Sequence, residues 1–179
     1  MKKVIISLLF VILLTGCSSN ILNTPTKKVE MFFNKYQSLD DDVLSQLKSV
    51  VDNEISFTKE QGLNYIEIMK KHYQTLKYRI KDEVIDGDTA VVTVEIEVND
   101  YSKILKEADL YLENHKEEFM KNNKIDETLF NEYRINKLKD SKDRVKYTID
   151  MTLSKIDDKW ELDEVSRDTK DKIQGVYYK

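Results

Sequence analysis

The strongest constraint on the fold is a strict alternation of apolar and polar residues in two separate segments. The first runs from Tyr78 to Val98 and the second from Val145 to Leu162, each broken once by a short acidic turn. A period of two is typical of β-strands that have one face on a core and the other in water. Each segment therefore predicts an antiparallel hairpin that is covered on one side only.

The numbering of the apolar positions also predicts the turns. Both strands of the first hairpin carry apolar residues at even numbers, which predicts a three-residue loop with Ile85 opposite Thr89. In this register Asp82 and Val84 share the inward face with Tyr78. The second hairpin changes from odd to even positions, which predicts a two-residue loop at 157–158 and places Leu153 opposite Leu162.

Helical spacing occupies the rest of the chain. Thr24 and Pro25 predict a helix start, the acids at 40–42 predict a second, and Thr58 with Gln61 fits a capping box that opens a third. Two further helices are predicted from Tyr101 to Asn122 and from Asp126 to Lys137. The residues expected on the buried helix faces include Val43, Leu44, Leu47, Val50, Val51, Leu63, Ile66, Met69, Tyr73, Leu129, Phe130 and Tyr133.

Together these patterns predict an α+β fold. The N-terminal helices pack on a curved, mainly antiparallel sheet of about four strands, made of two hairpins with a helical insertion between them. The expected organisation is a signal peptide over 1–16, a tether over 17–24 and a single domain over 25–179.

The first seventeen residues resemble the export signal of a bacterial lipoprotein. Two lysines precede an apolar run from Val4 to Leu14, which is too short for the roughly 20 residues that span a bilayer. Leu14, Thr15, Gly16 and Cys17 then match the lipobox of that family. The resemblance implies cleavage before Cys17, diacylglycerol on its thiol, palmitate among the acyl chains of the anchor, and a location on the extracytoplasmic face of the cell membrane.

The lipid would have two consequences for the mature domain. It occupies the chain's only cysteine, so disulfide and thiol chemistry are not expected. The eight residues from Cys17 to Pro25 span at most about 28 Å, so the domain would work close to the bilayer.

The charge of the chain argues against nucleic acid as a partner. The formal net charge is −4, and the basic and acidic residues are interleaved without a basic stripe. With two histidines far apart and one cysteine, no zinc or other metal site is expected, and no phosphate-binding glycine motif predicts a cofactor.

Several features together are similar to small Gram-positive lipoproteins of the nuclear-transport-factor-2-like, or cystatin-like, superfamily. These features are the lipobox, the Pro25 helix, the long first hairpin, the helix start at 100–103 and the closing segment at 155–162. The resemblance implies helices on the concave side of a curved sheet, and a largely uncharacterised family. It implies no catalytic motif, and its members include enzymes, binding modules and scaffolds.

We expect a binding module, for a small apolar or amphiphilic ligand or for an envelope protein, rather than an enzyme. The alternative is a cone-shaped enzyme of the isomerase or dehydratase type, in which Asp82 pairs with His72 or His115, or Glu164 acts as the acid, inside an apolar pocket. The tyrosines that could line a ligand cavity are Tyr65, Tyr73, Tyr78, Tyr101, Tyr111 and Tyr147. The polar face of the sheet could also pair two copies into a homodimer.

Overall fold

The computed structural model describes residues 23–178 and confirms the α+β class. Helices α1 (Pro25–Ser38), α2 (Asp41–Asn53) and α3 (Lys59–Gln74) precede strands β1 (Lys77–Asp86) and β2 (Thr89–Asn99). The insertion holds helix α4 (Tyr101–Asn114), a 3-10 turn (Lys116–Phe119), the short strands β3 (Met120–Lys121) and β4 (Lys124–Ile125), and helix α5 (Glu127–Asp140). Strands β5 (Arg144–Ile156) and β6 (Lys159–Leu162) and helix α6 (Arg167–Gln174) complete the described chain.

Strands β1, β2, β5 and β6 form one antiparallel sheet in the order β1-β2-β5-β6. One face carries the core, because the even positions of β2 and the odd positions of β5 are buried, while α1 packs across β1, β2 and β6. The other face is polar and carries ion pairs between neighbouring strands, such as Arg79–Glu95 at 3.1 Å. For β2 and β5 the alternation in the sequence therefore predicts correctly which faces are covered.

The helix starts form as their caps predict. Thr24 accepts a hydrogen bond from the Lys27 amide with Pro25 at the first helical position, and Asp40 caps α2 in the same way. Thr58 and Gln61 form both bonds of the capping box. These short-range bonds satisfy amides that have no partner inside the helix.

The predicted turn of the first hairpin is wrong. Asp86 pairs with Thr89 across a two-residue loop, in place of Ile85 opposite Thr89. A β-bulge in β1 makes the two-residue loop compatible with the apolar residues of the strands, since Ile80 faces Val94 but Asp82 faces Thr93. The extra residue reverses the faces of all that follows, so Asp82 and Val84 lie on the outer face and are exposed.

The second hairpin has the predicted register. Leu153 faces Leu162, and Asp157 and Asp158 form a two-residue loop with positive φ at both positions. Positive φ at both central residues matches the right-handed twist of the strands that the loop joins.

The insertion departs from the predicted single helix. Helix α4 ends at Asn114 instead of Asn122, and the chain continues into the 3-10 turn and the β3–β4 hairpin. Asn122 and Asn123 form its turn, both with positive φ, which asparagine tolerates better than most residues. Phe119 and Phe130 pack there in a small second core, while Leu129, predicted to be buried, is exposed.

Candidate functional site

An open groove of about 680 Å³ lies between α2 and α3. A glycine permits the close approach of the two helices, because a Cβ on Gly62 would lie 2.5 Å from the Cγ1 of Val51. Helix α2 turns Val43 and Leu47 into the core. The apolar residues that line the groove are Leu44, Val51, Ile55, Phe57, Leu63 and Ile66.

Large apolar side chains are exposed in and beside this groove. Ile55, in the loop between the two helices, is 98% exposed, Leu63 is 56% exposed, and Val50 is 55% exposed. A single exposed apolar residue needs no explanation, whereas a contiguous apolar patch rimmed by polar residues marks an interaction site. The prediction that Val50 and Leu63 lie on buried helix faces is therefore wrong, and their exposure is the main feature of this surface.

Charged residues border the groove on both helices. Lys48 and Lys59 form no ion pair with any residue that the structure describes, whereas Lys70 is paired with Glu67 at 2.8 Å. Glu54 accepts hydrogen bonds from the hydroxyl and the amide of Ser56, at 2.7 and 3.2 Å, and these bonds hold the pKa of its carboxyl below the usual value. They also fix the conformation of the α2–α3 loop, which contains Ile55.

A smaller cavity of about 180 Å³ adjoins the groove and shares Glu54 and Phe57 with it. It lies among α2, α3, α4, α5 and the C-terminal segment. Its lining is mainly apolar and aromatic: Val50, Phe57, Tyr65, Tyr101, Leu105, Ile135, Leu138 and Val176. Groove and cavity are thus neighbours that meet at Glu54 and Phe57.

The helical insertion supports this recess from the far side. The side-chain amide of Asn131 donates to the carbonyl and the hydroxyl of Ser56, at 3.2 and 2.9 Å. Gln61 donates to the carbonyl of Thr128 at 2.8 Å. These bonds tie α5 to the α2–α3 loop and to the first turn of α3, so the insertion fixes the geometry of the groove.

One cation lies at the cavity. The guanidinium of Arg134 lies 5.0 Å from the centre of the Phe130 ring, and its Nη2 is 3.3 Å from Asp109. The charged residues that line the cavity are Arg134 and Glu54, and Asn131 is a neutral polar residue of the lining.

The six tyrosines predicted to line a cavity are separated by the fold. Tyr65 and Tyr101 line the 180 Å³ cavity, and burial raises the pKa of both hydroxyls. Tyr73 is buried in the main core, and Tyr78 stacks on Phe33 with centroids 4.9 Å apart. Tyr111 packs in the second core, and Tyr147 contacts Tyr177.

The residues of the enzyme alternative do not meet. Asp82 is exposed on the outer face, where its carboxylate accepts the Glu83 amide at 2.9 Å, and no hydrogen bond within residues 23–178 joins it to a histidine. Glu164 lies beyond the end of β6, not within it, and is exposed. His115 follows the end of α4 and stacks on Tyr111 at 4.0 Å.

His72 is fully buried beneath the C-terminal helix. Its Nε2 is 2.8 Å from the carbonyl oxygen of Ile173, its ring stacks on Tyr101, and its Nδ1 has no hydrogen-bond partner in the described chain. Burial lowers the pKa of the imidazole to about 4. This histidine joins α3 to α6 as a neutral core residue.

Neither a metal cluster nor a membrane span occurs in the described part of the chain. Between residues 23 and 178, no three histidine, aspartate or glutamate side chains come together in a way that could hold a metal ion. No helix in the same range combines the length and the apolar character that crossing a bilayer requires. Cys17 and the lipobox lie outside the described residues.

The sequence gives no clear signal for the groove. The apolar residues of helix α2 at 43, 44, 47, 50 and 51 have the spacing of one ordinary amphipathic face. This spacing predicts a single buried face and does not reveal that Val50, at the edge of that face, is exposed. Ile55 follows outside the helical pattern altogether.

Comparison with known proteins gives one weak structural likeness. No family model matches the chain, and no curated protein matches it. A solved structure described as "a putative lipoprotein (ycdA)" from Bacillus subtilis superposes with a TM-score of 0.44 and 15% sequence identity. The match covers 84% of this chain but 47% of the other, so this chain spans less than half the length of that protein. At this TM-score the two chains do not have a demonstrated common fold.

Proposed function

We propose that this protein is a lipid-anchored lipoprotein of the extracytoplasmic membrane face, and that it binds an envelope protein through the groove between α2 and α3. The lipobox supports the anchor. The groove supports the binding role, because it is an open recess of about 680 Å³ and apolar side chains that line it, Ile55 and Leu63, are exposed.

The exposure of Ile55 carries the proposal. A side chain that is 98% exposed contributes nothing to the core, and its apolar surface remains in water until a partner covers it. Fully burying an isoleucine is worth about 1.5–3 kcal/mol. Ile55 and Leu63 line the groove and Val50 lines the adjoining cavity, so a segment that lies in the groove and enters the cavity could cover all three.

The shape of the site favours a protein partner over a small ligand. Ligand pockets usually measure roughly 300–1,000 Å³ and enclose most of the ligand surface. The groove, at about 680 Å³, is open to solvent, and the cavity beside it measures about 180 Å³. A cavity of about 150 Å³ holds a benzene ring. The cavity is therefore the size of one aromatic or branched side chain, which would anchor a segment that lies in the groove.

The charges at the rim indicate what flanks that apolar segment. Lys48, Lys59 and Asp52 border the groove without an ion-pair partner among the described residues. The partner would thus be an apolar segment, with one large anchor residue, flanked by polar residues of both charges. Pairing at the rim would set orientation and association rate more than affinity.

Site-specific photocrosslinking in intact cells tests this proposal. A benzophenone amino acid is placed at Ile55 or Leu63 in the full chain, and at Leu110 as the matched control, since Leu110 is 57% exposed but does not line the groove. We expect one discrete protein adduct at both groove positions and none at Leu110. Mass spectrometry then identifies the crosslinked segment.

A synthetic peptide of that segment provides the second measurement. We expect it to bind the purified chain, and Ile55→Asp to weaken binding about tenfold or more, a loss of about 1.4 kcal/mol, without lowering the melting temperature. Equal adducts at Leu110, no adduct in the groove, or unchanged binding to Ile55→Asp would each refute the assignment.

A further inference from the structure

We propose that two copies of this chain pair through the open edge of β5, so that one sheet continues across the dimer. This proposal is independent of the groove, because it concerns an edge of the sheet and the backbone of β5, and no residue of β5 lines the groove.

The short length of β6 leaves most of β5 without a neighbour on one side. β6 pairs only with Leu153–Ile156. The carbonyl of Thr152 accepts one more hydrogen bond, from the Asp163 amide at 3.0 Å, and the chain then leaves for α6. From 144 to 151, β5 pairs with β2 on one side and with no described strand on the other.

The backbone groups that face this open side can be identified from the alternation of the ladder. The Lys155 amide donates to the carbonyl of Asp88, the residue just before β2. The odd-numbered residues of β5 therefore point their backbone groups toward β2. The even-numbered residues point away from β2, as the Thr152 carbonyl does. Lys146, Thr148 and Asp150 therefore direct their amides and carbonyls toward the open edge, and none of these groups has a backbone partner in the described chain.

The side chains on this edge make it complementary to itself. If two β5 strands pair antiparallel about Thr148, Lys146 lies opposite Asp150 of the partner subunit, and the reverse pair forms by symmetry. Opposite charges in directly facing positions stabilise such a pair, and threonine faces threonine at the axis. Asp163 beside Thr152 limits the available edge to about seven residues, which is the length that this pairing uses.

The other edge of the sheet is unsuited to such pairing. β1 contains the bulge at 80–82 and presents Lys77, Arg79 and Lys81, and both features discourage the addition of a strand. The β2–β5 ladder, by contrast, is continuous from Thr89 to Asn99, so the open edge of β5 is regular.

Cysteine crosslinking of the full chain in its own membrane tests the proposed interface. In the antiparallel pair, the Thr148 Cα atoms would lie about 5.5 Å apart, within the disulfide range. We expect Thr148→Cys to form a disulfide dimer under mild oxidation, well above the background of the parent chain. Val91→Cys is the control. Val91 is exposed on the outer face of β2, which is a central strand and not an edge strand, and it would crosslink if two copies packed face to face.

Charge reversal gives an independent measurement on the full chain extracted in mild detergent. Lys146→Asp or Asp150→Lys places like charges opposite each other, and we expect each to weaken dimerisation about tenfold. The double variant, K146D with D150K, restores complementarity and should recover the dimer. A Thr148→Cys dimer no stronger than background, crosslinking of Val91→Cys instead, or no recovery in the double variant would overturn the proposal.

Discussion

The carboxylate of Glu83 accepts a hydrogen bond from the backbone amide of Thr26, at 2.8 Å, and so connects β1 to the first turn of α1. The contact depends on the bulge between Ile80 and Asp82, which turns Glu83 to the inner face, where it faces the buried Val92. A negative group at a helix N-terminus satisfies an unpaired amide and interacts favourably with the helix dipole.

Glu83→Ala should therefore lower the free energy of unfolding by about 1 kcal/mol. Urea denaturation measures the loss. Asp86→Ala is the control, because Asp86 lies on the same strand but its carboxylate has no hydrogen-bond partner among the described residues. Equal losses in the two variants would contradict the specific role of Glu83.

Acid should destabilise the fold through His72. Its pKa falls from 6.5 to about 4 on burial, so as the pH drops below 6.5 the unfolded state binds the proton first. Above pH 6.5 this histidine has no effect on the free energy of unfolding. Between pH 6.5 and pH 4 it lowers the free energy of unfolding by about 3 kcal/mol, and below pH 4 its effect is constant. The measurement is the urea midpoint across this range for the parent and for His72→Gln, which should lose this part of the pH dependence. Parallel profiles would disprove the effect.

Gly175 should tolerate a side chain less well than Gly87 does. Both have positive φ, but a Cβ at Gly175 would meet the backbone oxygen of Asn99 and the ring of His72, whereas a Cβ at Gly87 meets nothing. We expect Gly87→Ala to cost about 1 kcal/mol for the backbone alone. Gly175→Ala should cost about 2–4 kcal/mol, because steric strain adds to it. Thermal unfolding compares them, and equal losses would show that the C-terminal segment is not packed closely.

Cys17→Ala should release the protein from the membrane. If the lipobox is processed as its four residues predict, the variant loses its acyl chains and no longer incorporates labelled palmitate. Metabolic labelling and membrane fractionation measure this, with Ser18→Ala as the control that should remain anchored. Palmitate incorporation that persists in Cys17→Ala would refute the anchor at this residue.

The sequence by itself determined the elements whose signals are local. Helix caps at Thr24, Asp40 and Thr58 depend on bonds within three residues, and the second hairpin follows from the parity of its apolar positions. The faces of β2 and β5 follow from alternation, since a one-residue slip would expose every apolar side chain.

Only the tertiary structure decided where those elements leave gaps. The bulge in β1 moves Asp82 out of the candidate pocket, and it is stabilised by contacts with residues distant in sequence, such as the bond from Thr26 to Glu83. The groove exists because the packing of α2 against α3 leaves Ile55 and Leu63 uncovered, and the early end of β6 leaves the edge of β5 open. Which apolar or backbone groups remain uncovered depends on how all the elements pack together, and no local pattern records that.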